Sequence, residues 1–63
     1  MYRFSLRYRD GLTVEERHAA VSDDEALRWL DLLFTTSPEL RSGVIHDAGG
    51  RLILRRDLDG GDA

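Results

Sequence analysis

Apolar and polar residues alternate strictly from Tyr2 to Tyr8. Tyr2, Phe4, Leu6 and Tyr8 fall on one side and Arg3, Ser5 and Arg7 on the other, the period of a half-buried β-strand. Arg9-Asp10-Gly11 then suits a three-residue hairpin loop closed by glycine in the left-handed region, because this spacing sets Tyr8 opposite Leu12 and Leu6 opposite Val14. A two-residue Asp10-Gly11 turn would instead put Arg7 opposite Val14, and a one-residue slip carries a whole strand to the wrong face. The pattern selects the longer loop and predicts a second strand from Leu12 to about Val21, only weakly amphipathic at Glu16 and His18.

The period changes after Val21. Ser22 followed three residues later by Glu25 reads as a capping box, and Asp23, Asp24 and Glu25 place negative charge at the positive end of a helix dipole. Ala26, Leu27, Leu30, Leu33 and Phe34 share one helical stripe, expected to pack on the aromatic face of the first strand. Thr35, Thr36 and Ser37 are poor helix formers and Pro38 disfavours helical geometry before it, which predicts a stop near Thr36. Pro38 to Ser42 reads as a connecting loop with one short turn around Glu39-Leu40-Arg41.

Gly43 to Asp47 and Arg51 to Asp57, rich in branched aliphatics around Asp47-Ala48-Gly49-Gly50, predict a second hairpin. Two registers compete: a four-residue loop aligns Ile45 with Leu52, a three-residue loop aligns Ile45 with Ile53. The expected fold is α+β, in the order ββαββ: a four-stranded antiparallel sheet with one helix packed on one face. It forms a single domain over residues 1–58, followed by a flexible acidic tail over 59–63. The apolar first strand is expected at the centre beside the fourth, with the second and third at the edges.

Composition narrows the classes of function. At 63 residues one core is near the lower limit of self-sufficiency, so self-association, as a homodimer, or a protein partner is a natural expectation. The chain has no cysteine, hence no disulfide framework and no thiolate metal site, and it has neither a secretory leader nor an apolar run long enough to cross a membrane. A cytoplasmic, soluble protein is expected. Met1 at the start of a strand and the polar tail favour a complete short protein. Nine arginines stand against no lysine, a bias pointing to a high-G+C bacterium or one of its phages. A net charge of −3 argues against indiscriminate binding to phosphate backbones.

Two surfaces stand out as candidates. Trp29, Leu32 and Thr36 form a ridge flanking the core stripe of the helix, and an exposed ridge bearing tryptophan is a candidate protein-binding surface. Arg3, Arg7 and Arg17, joined by Arg51 and Arg55, are expected on the open sheet face with Glu15 as their main acidic neighbour, a candidate face for nucleic acid or an acidic partner. Platforms for single-stranded nucleic acid stack bases on sheet-face aromatics, and here Tyr2, Phe4 and Tyr8 lie opposite the arginines.

No motif supports catalysis. His18 and His46 have no metal-ligand spacing, Gly49-Gly50 lacks the following helix of a phosphate loop, and no serine sits in a nucleophile elbow. No cofactor, metal or small-molecule ligand is expected, and the chain is read as a non-enzyme. The favoured expectation is a small protein-binding module acting by self-association or by docking on a larger protein partner. Size and acidity suggest, within that class, a protein that blocks a nucleic-acid-binding host factor. The alternative is a nucleic-acid-binding or regulatory accessory protein using the arginine-rich open sheet face.

Overall fold

The computed structural model describes residues 1–58. Four strands and one helix follow in the order ββαββ: β1 (Tyr2–Tyr8), β2 (Thr13–His18), α1 (Asp23–Thr36), β3 (Leu40–His46) and β4 (Leu52–Asp57). The tail expected over 59–63 lies outside the described residues. All neighbouring strands are antiparallel, in the order β2-β1-β3-β4.

This order corrects the expected one. β1 is central, but its inner neighbour is β3, and the edges are β2 and β4. Burial explains the difference. Leu40, Gly43 and Ile45 of β3 are buried, whereas β4 ends in Arg55, Arg56 and Asp57, which suit an edge open to water. The connection through α1 carries the chain over β1, so that β2 and β3 flank it.

Both hairpins close with the same turn. In the first, the Tyr8 N–H donates to the Leu12 carbonyl at 2.8 Å and the Gly11 N–H to the Tyr8 carbonyl at 2.9 Å, with Gly11 at φ +89°. Leu6 faces Val14 as the three-residue loop requires. The second repeats this arrangement: Asp47 N–H to Arg51 carbonyl and Gly50 N–H to Asp47 carbonyl, both 3.0 Å, with Gly50 at φ +87°. Neither expected register of this hairpin survives, however. A bulge shifts the ladder so that His46 faces Leu52 while Ile45 faces Leu54, leaving Ile53 as the extra residue. The shift lets both Ile53 and Leu54 pack against the core.

Two boundaries also move. Leu40 to Ser42, read as loop, belong to β3: Leu40 pairs with Tyr8, is fully buried, and the Arg9 N–H donates to the Glu39 carbonyl at 2.7 Å. β2 stops at His18, short of Val21, whose side chain is 90% exposed.

The helix is capped as its sequence implies. Ser22 Oγ accepts from the Glu25 N–H at 3.3 Å, and Glu25 Oε1 reaches back to the Val21 N–H at 3.2 Å. Its core stripe is buried at Ala26 and Leu30 and half-buried at Leu27, Leu33 and Phe34. Together with Phe4, Leu6, Leu40 and Ile45 these side chains form the core. Tyr2 ties the helix start to the sheet, its hydroxyl donating to Asp23 Oδ1 at 2.6 Å. This bond, with burial and the Asp23 charge, raises the Tyr2 pKa above its ordinary 10.0.

Candidate protein-binding surface

The site follows from where the helix rests. A Cβ on Gly43 would lie 2.7 Å from Leu30 Cδ1 and 3.3 Å from Phe34 Cε2, so the absent side chain lets α1 settle close on β3. On the far side, the helix-facing side chains of β2, namely Val14, Glu16 and His18, remain only half-buried. A groove opens between the start of α1 and the end of β2.

Trp29 lies across this groove. Its Nε1–H donates to His18 Nε2 at 3.0 Å, and the two rings are tilted at 53° with centroids 4.9 Å apart. His18 in turn meets Phe4 edge-on, with centroids 5.0 Å apart. Held by His18, the indole is still 40% exposed, and Leu32, one turn further along, is 48% exposed. Thr36 completes the ridge, its hydroxyl turned back to the Leu32 carbonyl at 3.0 Å. The adjoining groove, about 320 Å³, has an apolar floor and walls of Phe4, Ala19, Ala20 and Ala26, with Glu25 beside it. Glu16 brings a second carboxylate, 3.0 Å from His18 Nε2.

His18 Nε2 therefore has two neighbours with opposite demands. The neutral ring carries one lone pair, which accepts from the Trp29 N–H only while Nε2 is unprotonated; the contact to Glu16 is a hydrogen bond only when Nε2 carries a proton. One atom chooses between the indole and the carboxylate.

The arginines divide between the two faces. Arg3, Arg7, Arg17 and Arg55 project from the open face with Glu15, Asp57 and His46, consistent with their registers. Arg3 pairs with Glu15 at 3.4 Å and Arg7 with Asp57 at 3.7 Å, whereas Arg17 and Arg55 have no acidic partner within 4.0 Å among the described residues. Arg51 goes elsewhere. Preceding β4 at the hairpin turn, it meets Asp47 at 3.2 Å and Asp23 at 3.5 Å, bracing the turn against the start of the helix. Arg56, on the helix face, pairs with Asp31 at 3.2 Å and lies 4.7 Å above the Phe34 ring.

His46 and Asp47 do not form a base and its orienter. His46 Nδ1 is buried without a hydrogen-bond partner among the described residues, while Asp47 accepts from the Gly49 and Arg51 amides at 2.9 Å each. The Arg51 amide first, then the Gly49 amide and the Arg51 charge, outweigh desolvation and hold the Asp47 carboxyl below its ordinary range. Among the described residues no three or more His, Asp or Glu side chains are grouped to hold a metal ion, and no helix is long and apolar enough to cross a membrane.

Inspection of the sequence singled out Trp29 and Leu32 but missed the part of His18 and Glu16. The signal was present: the register that sets Leu6 opposite Val14 also sets Phe4 opposite Glu16 and Tyr2 opposite His18, on the helix side. No protein-family model, curated protein or solved structure matches the chain, so the functional argument rests on this geometry.

Proposed function

We propose that this protein is a non-catalytic protein-binding module that docks on a larger protein through the Trp29/Leu32 ridge and the groove beside it. The observation carrying this reading is the indole, exposed over two fifths of its surface yet fixed by a hydrogen bond and a ring contact to His18. A prepositioned aromatic anchor loses little conformational freedom on binding, and such anchors concentrate binding energy. The groove suits an apolar side chain, and Glu16 and Glu25 beside it suit basic neighbours on the same partner. A basic segment with an apolar tip is also what a nucleic-acid-binding protein would offer, which agrees with a blocking role.

The test is capture of binding partners from cell lysate by the tagged protein, its Trp29→Ala and Leu32→Asp variants, with and without nuclease. A nuclease-resistant partner retained by the parent protein and lost by both variants, whose thermal melts stay unchanged, supports docking. Retention by both variants overturns it. A second reading, binding of nucleic acid or an acidic surface, is favoured by the open face, where among the described residues Arg3, Arg7, Arg17 and Arg55 lie with the two carboxylates Glu15 and Asp57. It requires capture that vanishes with nuclease or weakens steeply with salt and with Arg17→Glu.

A further inference from the structure

The edge of the sheet beside the docking surface is open. β2 pairs with β1 in one unbroken register from Thr13 to His18, with neither proline nor bulge to blunt its outer side. The bond from the Tyr8 N–H to the Leu12 carbonyl fixes the alternation of this ladder. The main-chain groups of Val14, Glu16 and His18 therefore point at β1, and those of Thr13, Glu15 and Arg17 point outward. The half-buried side chains of Val14, Glu16 and His18 line the helix side of the same edge, and Trp29 and the groove stand at its His18 end.

We infer that the docking segment of the partner is an extended chain that adds to this edge as a fifth strand, antiparallel to β2, with a basic residue opposite Glu16. The inference rests on the docking reading above and adds the partner's conformation and side-chain pattern. A helix seated on the ridge would leave the outward groups of β2 to water, whereas a strand bonds them and carries every second side chain to the helix side. There the residue opposite His18 reaches the groove beside Trp29, and the residue opposite Val14 meets an apolar side chain. The residue between them meets the Glu16 carboxylate, which stands 3.0 Å from His18 Nε2. On the open side Arg17, which has no acidic partner within 4.0 Å among the described residues, suits an acid. From its N-terminal side the partner segment thus reads apolar, acidic, basic, any residue, apolar. A second copy of this chain does not fit: the two centres that keep most of β2 paired with its own copy set Glu15 opposite Glu15 or Glu16 opposite Glu16. Glu16 turns away a second copy and selects a basic strand.

The probe is the capped peptide acetyl-Thr-Leu-Asp-Arg-Thr-Val-Thr-amide, which sets leucine opposite His18, arginine opposite Glu16 and valine opposite Val14. Trp29 is the only tryptophan, so its emission follows the titration, run over about 10 μM to 1 mM peptide. Emission changes saturably in this range, and hydrogen exchange slows at the outward amides of Glu15 and Arg17 while those of Val14 and Glu16, already bonded to β1, change little. N-methylation of the peptide's aspartate, or of the threonine before valine, blocks an N–H that faces β2 and abolishes binding; N-methylation of its arginine, whose N–H points away, leaves binding intact. Glu16→Arg weakens binding at least about tenfold, and a peptide with glutamate in place of arginine restores it. A parent protein that does not bind by about 1 mM, N-methyl groups that act alike at all three positions, or unprotected Glu15 and Arg17 amides overturn strand addition. Capture from lysate that still depends on Trp29 and Leu32 in that event keeps the docking reading, so the two failures are told apart.

Discussion

Gly43 is the position at which the packing argument is most exposed to test. The residue is buried at ordinary backbone geometry, since among the described residues only Gly11 and Gly50 have positive φ, so its smallness matters for space and not for conformation. In Gly43→Ala the new methyl would sit 2.7 Å from Leu30 Cδ1, 3.4 Å from Leu30 Cδ2 and 3.3 Å from Phe34 Cε2. Leu30 is fully buried, so its methyls yield only by displacing other core side chains. Overpacking of this kind costs about 1–3 kcal/mol, against about 0.4–1 kcal/mol returned by the stiffer unfolded chain. A net loss of about 1–2 kcal/mol is expected in a domain whose whole stability is of the order of 3–9 kcal/mol. It should lower the melting temperature by roughly 5–15 °C. The assay is thermal and urea unfolding followed by circular dichroism, in the parent and in a Leu30→Val background. Valine lacks both δ-methyls, so in that background the added methyl at position 43 should cost at least about 1 kcal/mol less. Gly43→Ala at parental stability, or the same penalty in both backgrounds, would refute the claim that this glycine sets how closely the helix approaches the sheet.

Three further outcomes follow from the side-chain geometry. Because the Asp47 carboxyl is held below its ordinary range, chiefly by the Arg51 amide, its contribution to stability is full above the unfolded value of 3.8 and is lost as pH falls through the lower folded value. Asp47→Asn keeps an oxygen for the Gly49 and Arg51 amides but not the charge, so it should flatten this part of the acid limb of melting temperature against pH; parallel curves would count against the assignment. The Tyr2 pKa is raised, first by its bond to Asp23, so that bond stabilises fully below pH 10.0 and is lost as pH rises through the folded value. Tyr2→Phe should destabilise the fold at neutral pH and remove that alkaline loss. Trp29 is the only tryptophan, and its indole N–H donates to His18 Nε2, so His18→Phe should remove the acceptor and loosen the ring. Intrinsic emission should shift and lose anisotropy in His18→Phe relative to the parent; an unchanged spectrum would refute the claim that His18 fixes the indole.

Several features of this molecule are local, and these were legible in the sequence. Strand alternation in Tyr2–Tyr8, the glycine that closes the first turn, the Ser22 cap and the halt near Thr36 each depend on residues within one turn or one hairpin of each other. The exposure of Trp29 and Leu32 likewise follows from their place on a helical wheel. What the tertiary structure alone decided depends on contacts between distant segments. Whether β3 or β4 lies beside β1 is a competition for the central, fully covered position, settled by the buried trio Leu40, Gly43 and Ile45 and by the charges on β4. Leu40 looked like a loop residue because its neighbours are polar, and it became a strand residue only through Tyr8 on the adjacent strand. Ile45 met Leu54 because a bulge let two successive apolar residues reach one core, a gain invisible to a pattern of period two. The meeting of His18 with Trp29 needed both a hairpin register and a helix drawn over β3 by one missing side chain. Chemistry along the chain determined the elements; their order and the surface they leave open were decided by which of them could share the few fully covered positions that so small a core contains.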